Sequence, residues 1–373
     1  MAEQLKRTSL YSIHLSLSAR MVPFAGWEMP VQYASILAEV RAVRGQCGLF
    51  DVSHMGRLDI SGADATALLE WVMTNDVTGL QPGRARYAFI CNLDGGVIDD
   101  CVFYRRGVQD YLLVCNASNR ESVVAWLERW IRERSWHVSI ADRAEATAMI
   151  AFQGPQAVPA LDSLTGGAVS SLRPFAYVET SVGGARAFVG RTGYTGEDGA
   201  ELIVTAEAAP ALWRLLMDKG AAPCGLGARD VLRLEAALML HGNDIDTATS
   251  PIEAGQERFV RLDKEFAGAE ALRRQKAGGV ERKLVGLKLS GSQIARHGYA
   301  ILSEGRQVGR VTSGTYSPTL GASIALGYVG PQYASPGQPP ARTGGWRLAI
   351  DLRGRPVEAV VTPLPFYSRV RSA

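Results

Sequence analysis

The chain has 373 residues, of which 47% are hydrophobic, 21% charged and 8% aromatic. That length and balance predict two or three packed domains and exclude disorder, collagen-like repeats and a disulfide-stapled minidomain. A net charge of +3, from 40 basic and 37 acidic side chains, is too small for a nucleic-acid binder, whose affinity comes from concentrated Lys and Arg.

No run approaches the ~18 apolar residues of a membrane span. The polar start, Met1 to Leu10, leads into no apolar signal segment. We therefore expect a cytoplasmic protein with no membrane partner. The five cysteines, Cys47, Cys91, Cys101, Cys115 and Cys224, form no C-x-x-C, and the five histidines are scattered. This predicts reduced, mostly buried thiols and no metal site.

Residues 10–35 read as loop, because Pro and Gly interrupt the apolar positions without a clean period. Ser35 is placed to cap a helix with Ile36, Leu37, Val40 and Val43 on one face. Gly56 to Ile60 alternates as a strand, and a helix follows over about 62–74. Arg86 to Cys91 and Val97 to Tyr104 form a hairpin about Asp94-Gly95-Gly96, since an Asp-Gly turn tolerates positive φ. A third strand, Asp110 to Cys115, leads to Asn116-Ala117-Ser118-Asn119 and a helix to about Arg134. Strands follow at 148–153, 185–191 and 200–205, with helices at 209–219 and from Ala228 to about Gly242. From Lys283 the pattern is all strand: 284–289, 299–302, 308–313, 324–329, 347–350 and 357–362. Gly and Pro punctuate these six, which predicts a small barrel or sandwich.

The sequence has no Walker loop, no G-x-S-x-G and no H-E-x-x-H. What stands out is polar residues in glycine-rich turns beside strands. Asp99 and Asp100 enter an apolar strand as a pair. Neighbouring strand residues point to opposite faces, so one faces a cavity and the other faces solvent or an Arg. Alternatively, both are surface acids of a turn. In Arg191 to Glu201, Tyr194 offers a ring and a hydroxyl, and Glu201 offers a carboxylate that two parallel N–H groups of a heterocycle would fit. A bare β-hairpin turn is the competing reading. Arg233 sits among Leu and Val, and a buried Arg must be paired or bound to a ligand. Asp230 or Glu235 would serve as a structural partner. His54 is either a general base or a satisfied structural group, and Met55 beside it reads as packing.

Taken together, Val22 to Pro30, Gly48-Leu49-Phe50-Asp51-Val52-Ser53-His54-Met55-Gly56, Arg191 to Gly199, Gly225 to Ala236 and Thr312 to Pro318 resemble the T-protein family of the glycine cleavage system, the aminomethyltransferases, over essentially the whole chain. The resemblance implies an α+β fold of three domains around a central folate channel. Two are α+β domains, residues 1–50 with 141–250 and residues 51–140. A linker, 251–282, joins them to a C-terminal all-β barrel or jelly-roll-like domain, 283–373. The resemblance also implies transfer of a methylene group from aminomethyl-dihydrolipoyl H protein to tetrahydrofolate, the acceptor substrate, with no metal. On the family pattern the functional carboxylate falls on Asp100. The folate contacts fall on Met55, Tyr87, Asn116, Tyr194, Glu201 and Arg233. A related folate-dependent demethylase, or a non-catalytic folate-binding assembly protein, is the alternative. Three places depart from the family pattern. Gln256-Glu257-Arg258-Phe259 stands where it has Gly-Leu-Gly-Trp, which leaves Phe259 as a substitute for the Trp. Glu265-Phe266-Ala267-Gly268 and Glu39-Val40 also differ. Arg296, Arg369 and Arg371 are candidate bases for docking an acidic H protein.

Overall fold

The computed structural model describes residues 4–334 and 347–369; Arg371 lies outside them. Two sheets and a barrel carry the architecture. The first sheet has six strands in the order Tyr177–Val182, Ala185–Gly190, Gly199–Thr205, Thr147–Gln153, Gly48–Asp51 and Ala222–Pro223. The second has five, in the order Arg84–Cys91, Val97–Arg105, Asp110–Cys115, Gly56–Ser61 and Ser139–Asp142. The barrel closes through Lys283–Leu289, which pairs with both Ala322–Val329 and Pro356–Thr362. The fold is therefore mixed α and β with a closed six-stranded C-terminal barrel.

Each sheet buries an outer face under its own helices. Ala157–Thr165 and Ala209–Asp218 cover the first, with Leu161, Leu212 and the fully buried Trp213 packed on Ile150 and Leu202. Ala65–Val72 and Arg120–Arg134 cover the second, with Leu68, Leu69, Val123 and Leu127 on Leu58, Phe103 and Leu113. The inner faces turn toward each other. Phe50, Met149 and Ala151 from one sheet share a core with Tyr104, Leu112 and Val114 from the other. The helix Leu226–Glu235 lies where these units meet. Its Val231 and Leu232 enter the inter-sheet core, and its Leu234 joins Phe89 and the barrel residues Ile324 and Leu326.

Several local expectations change. Residues 20–32 are a hairpin, Arg20–Phe24 against Trp27–Gln32. Ala25 and Gly26 both take positive φ, 48° and 80°, the requirement of a two-residue hairpin turn that matches strand twist. Ser35 does cap the helix Ile36–Gly45, its hydroxyl accepting from the Ala38 N–H at 3.2 Å. The buried face carries Glu39 with Val40 and Val43, while Leu37 is exposed. Glu39 is satisfied there by the backbone N–H groups of Tyr33 and Gly225, at 2.7 and 2.9 Å. The helix expected to run to Gly242 stops at Glu235, and Ala237 beyond it sits at φ 54°. The 251–282 stretch contains a helix of its own, Ala269–Gly278, with Leu272 buried. All five cysteines are free and buried.

Candidate functional site

Period-two alternation aims two carboxylates at the space between the sheets. In Gly199–Thr205 the residues Ala200, Leu202 and Val204 face the outer core, so Glu201 faces inward. In Val97–Arg105 the residues Cys101 and Phe103 face the helices, so Asp100 faces inward. Between the inner faces, the helix Leu226–Glu235 and the barrel lies a cavity of about 1030 Å³. All seven residues expected from the sequence to form a site line it.

Asp100 is held from two sides. Its Oδ2 accepts the Tyr87 hydroxyl at 2.9 Å, and its Oδ1 accepts the Asn116 side-chain amide at 2.9 Å. Burial pushes its pKa up, against the Tyr87 hydrogen bond, the nearby His241 and Asn116. Burial, and then the Asp100 carboxylate, push the Tyr87 hydroxyl well above its ordinary value, so it stays a donor. Tyr87 packs edge-on against Phe259, ring centroids 4.7 Å apart, and against Phe89 at 5.2 Å. Phe259 lines the cavity and gives this wall an aromatic face.

Asp99 corrects the expectation of solvent or an Arg. It does point away from Asp100, but the face it meets is covered, and it is 0% exposed. It accepts from the Asn116 backbone N–H at 3.0 Å, the Asn116 side-chain amide at 2.8 Å and the Asn119 side-chain amide at 2.6 Å. Asn116 and Asn119 thus hold carboxylates; Asn119 does not cap the helix that follows with its side chain.

Glu201 sits on the wall formed by the first sheet. Its Oε2 accepts the Thr192 hydroxyl at 2.6 Å, and Thr192 is itself 2.6 Å from the Tyr104 hydroxyl. Burial raises the Glu201 pKa, with Thr192 and Arg229 opposing. Tyr194 presents its ring, since its hydroxyl already donates to the Met239 carbonyl. Met55 lines the cavity and packs on the inter-sheet core.

Arg233 is structurally committed. It bonds Asp244 at 2.5 Å, Asp230 at 2.8 Å and the Ser313 hydroxyl at 2.8 Å, and Asp244 in turn accepts from Thr312 and Ser313 of the barrel. Of the two partners expected, Asp230 is present. Glu235 instead pairs with Arg44 at 2.7 Å. One turn earlier, Arg229 presents a less committed guanidinium to the same cavity. Its guanidinium lies 4.6 Å over the Tyr194 ring, it lines the cavity, and its buried Nη1 has no partner among the described residues. Burial lowers its pKa, while Tyr194 and Glu201 oppose. The i, i+4 spacing to Arg233 put it on the same helical face, a signal present in the sequence.

His54 is neither a satisfied structural group nor a neutral-pH base. It is buried at 3% exposure with an unpartnered Nδ1, edge-on to Phe24 at 5.4 Å. Burial drives its pKa down to about 3, against the attraction of Asp51. Among the bases considered for docking, Arg369 pairs with Asp198 at 3.3 Å, and Arg296 is exposed. Among the described residues no group of three or more His, Cys, Asp or Glu could hold a metal ion, and no helix is long and apolar enough to cross a membrane.

Comparisons with known proteins define the class first: the relatives are enzymes that transfer aminomethyl groups. An aminomethyltransferase of Rubrobacter xylanophilus is 49% identical over 99% of this chain and 96% of its own length. One of Geobacillus kaustophilus is 45% identical over 98% and 100%. The crystal structure of glycine cleavage system aminomethyltransferase T from Bartonella henselae superposes with a TM-score of 0.89 at 34% identity, covering 97% of this chain and 98% of that one. Residues 10–264 match the GCVT N-terminal domain, and residues 282–368 match the glycine cleavage T-protein C-terminal barrel domain. The chain belongs to the glycine cleavage T-protein family.

Proposed function

We propose that the cavity takes tetrahydrofolate as acceptor substrate and that a lipoylated H protein delivers the aminomethyl group to it, in the cytoplasm. Aminomethyl transfer in glycine cleavage is the activity that goes with the family, and the chain is an enzyme. The observation that carries the substrate reading is Asp100: a carboxylate held by Tyr87 and Asn116 in the same cavity as Glu201 and Arg229.

The pterin end falls to Glu201, whose carboxylate accepts the ring N3–H and the 2-amino group side by side. Charge-assisted hydrogen bonds of this kind contribute ~1.5–3 kcal/mol each. Arg229 and the Tyr194 face flank that end, with Met55 as apolar packing and Arg233 holding the helix that carries Arg229. The folate N5 is the nucleophile, so the protein need not supply one. N5 attacks the methylene carbon, ammonia and the dihydrolipoyl thiol leave, and N10 closes the five-membered ring. The two protons given up by N5 and N10 end on ammonia and on the thiol. Positive charge develops on the carbon as ammonia departs. A carboxylate fixed beside it stabilises that charge without having to reorganise as water would.

The test is ammonia release from aminomethyl-loaded H protein. Release should accelerate when tetrahydrofolate is added, with 5,10-methylene-tetrahydrofolate formed in equal amount. Release that ignores folate would rule the reading out.

A further inference from the structure

Asp99 is a buried carboxyl with no cation against it among the described residues. Among the described residues its three hydrogen bonds come from neutral amides, two from Asn116 and one from Asn119. The fold has a cheaper choice at this position, because a buried charge costs several kcal/mol unless it is paired. Burial and the adjacent Asp100 carboxylate both push its pKa upward, so the packing works against the charge. The residues around it offer no salt bridge in return. Of the titratable groups close by, Asp100 opposes a second negative charge, while the Cys101 and Cys115 thiols are themselves pushed up by burial and by Asp99.

What the carboxylate does impose is direction. Its Oδ2 takes the Asn116 backbone N–H and its Oδ1 the Asn119 side-chain amide, so this carboxyl presents acceptors to its neighbours and the Asn116 side chain turns its NH₂ toward it. That one nitrogen then reaches Asp99 Oδ1 at 2.8 Å, the Asp100 carbonyl at 3.1 Å and Asp100 Oδ1 at 2.9 Å. The bond to the Asp100 carbonyl stands where a strand N–H would be. Val102 to Arg105 pair with Tyr111 to Val114, and the ladder stops there. Asn116 crosses the open edge and ties one face of the strand to the other.

We infer that Asp99 is a positioning residue for the transfer reaction, fixing the Asn116 amide so that it holds Asp100 Oδ1 in the reactive orientation. This rests on the reading of Asp100 given above. Asp99 touches neither the cavity nor a substrate; it acts through Asn116.

The experiment compares single-turnover transfer at saturating tetrahydrofolate with the folate dissociation constant. Asp99→Asn should slow transfer about tenfold, since a misplaced reacting group costs up to ~10²-fold, and should change folate affinity less than threefold. In an Asn116→Ala background the same substitution should change the rate less than twofold, because the link is already cut. Asn119→Ala, which removes the other donor and leaves the Asn116 arm, should keep the rate within threefold. A wild-type rate for Asp99→Asn, or an undiminished effect without Asn116, overturns the inference. If Asp99→Asn does not fold, the other two variants decide: a rate lost in Asn119→Ala and kept in Asn116→Ala overturns it. Asp100→Asn run alongside separates the failures, because a full rate there would sink the Asp100 reading itself.

Discussion

Two enclosed aspartates of this protein, Asp51 and Asp100, are handled in opposite ways. Asp51, at the end of a strand in the first sheet, is 3% exposed and meets His14 at 2.9 Å, the Thr8 hydroxyl at 2.6 Å and the Ser53 N–H at 2.9 Å. Burial alone would raise its pKa, yet His14 and the hydroxyl and amide donors hold it down to about 2. Asp100 is also enclosed, and there burial wins and the pKa goes up. Asp51 is placed so that three partners meet its carboxylate and the N-terminal segment is pinned to the sheet. Asp100 is placed so that its charge is left wanting a partner, which is how a site differs from a scaffold.

Substitution to Asn breaks the two regions differently. Asp51→Asn should destabilise the fold by ~3–5 kcal/mol, the cost of opening a buried pair, as read by denaturant unfolding at pH 7. The sign of the pH dependence follows from the lowered folded pKa. Asp51 contributes stability above about pH 4, and that contribution is lost as pH falls through about 2. Asp100 runs the other way. Its folded pKa is raised, so its contribution is fullest below the ordinary carboxylate range and is lost as pH rises through the folded value. Asp100→Asn should therefore leave stability unchanged at low pH and gain on the wild type as pH rises. A loss of stability in Asp100→Asn comparable to that in Asp51→Asn would erase the distinction.

The arginine pair sharpens the comparison at smaller scale. Arg233→Met should cost ~3 kcal/mol or more, because it strands Asp244 without its cation. Arg229→Met should leave stability within ~1 kcal/mol, since its Nη1 has no partner to lose, and should weaken tetrahydrofolate binding by ~10-fold or more, as should Glu201→Ala. Calorimetric titration of folded variants checks both. A destabilised Arg229→Met with unchanged folate affinity would contradict the division of labour.

The sequence made much of this legible, and physical reasons explain the rest. Strand alternation predicted that Asp99 and Asp100 face opposite ways, and they do. It could not say that the helix Arg120–Arg134 covers the far face, because cover is a long-range fact. Apolar neighbours marked Arg233 as buried, but its main partner Asp244 lies in a loop beyond the helix end, where no period applies. Arg229 is legible only through its i, i+4 spacing to Arg233, because its own neighbours Ala228 and Asp230 do not mark it as buried. All six barrel strands could be read from their Gly and Pro punctuation. Closure could not, since it depends on the pairing of Lys283–Leu289 with Pro356–Thr362. The hairpin at 20–32 was hidden by Pro23 and Pro30 and by a turn whose positive φ falls on Ala25 as well as Gly26.

The most direct measurement of the central claim is the single-turnover rate of methylene transfer to tetrahydrofolate in Asp100→Asn, with folate saturating and the fold checked by unfolding. The account predicts a rate ~10²-fold or more below wild type, the scale of one lost electrostatic contact at a developing charge, with folate still bound. A wild-type rate in a folded, folate-saturated Asp100→Asn variant would contradict it.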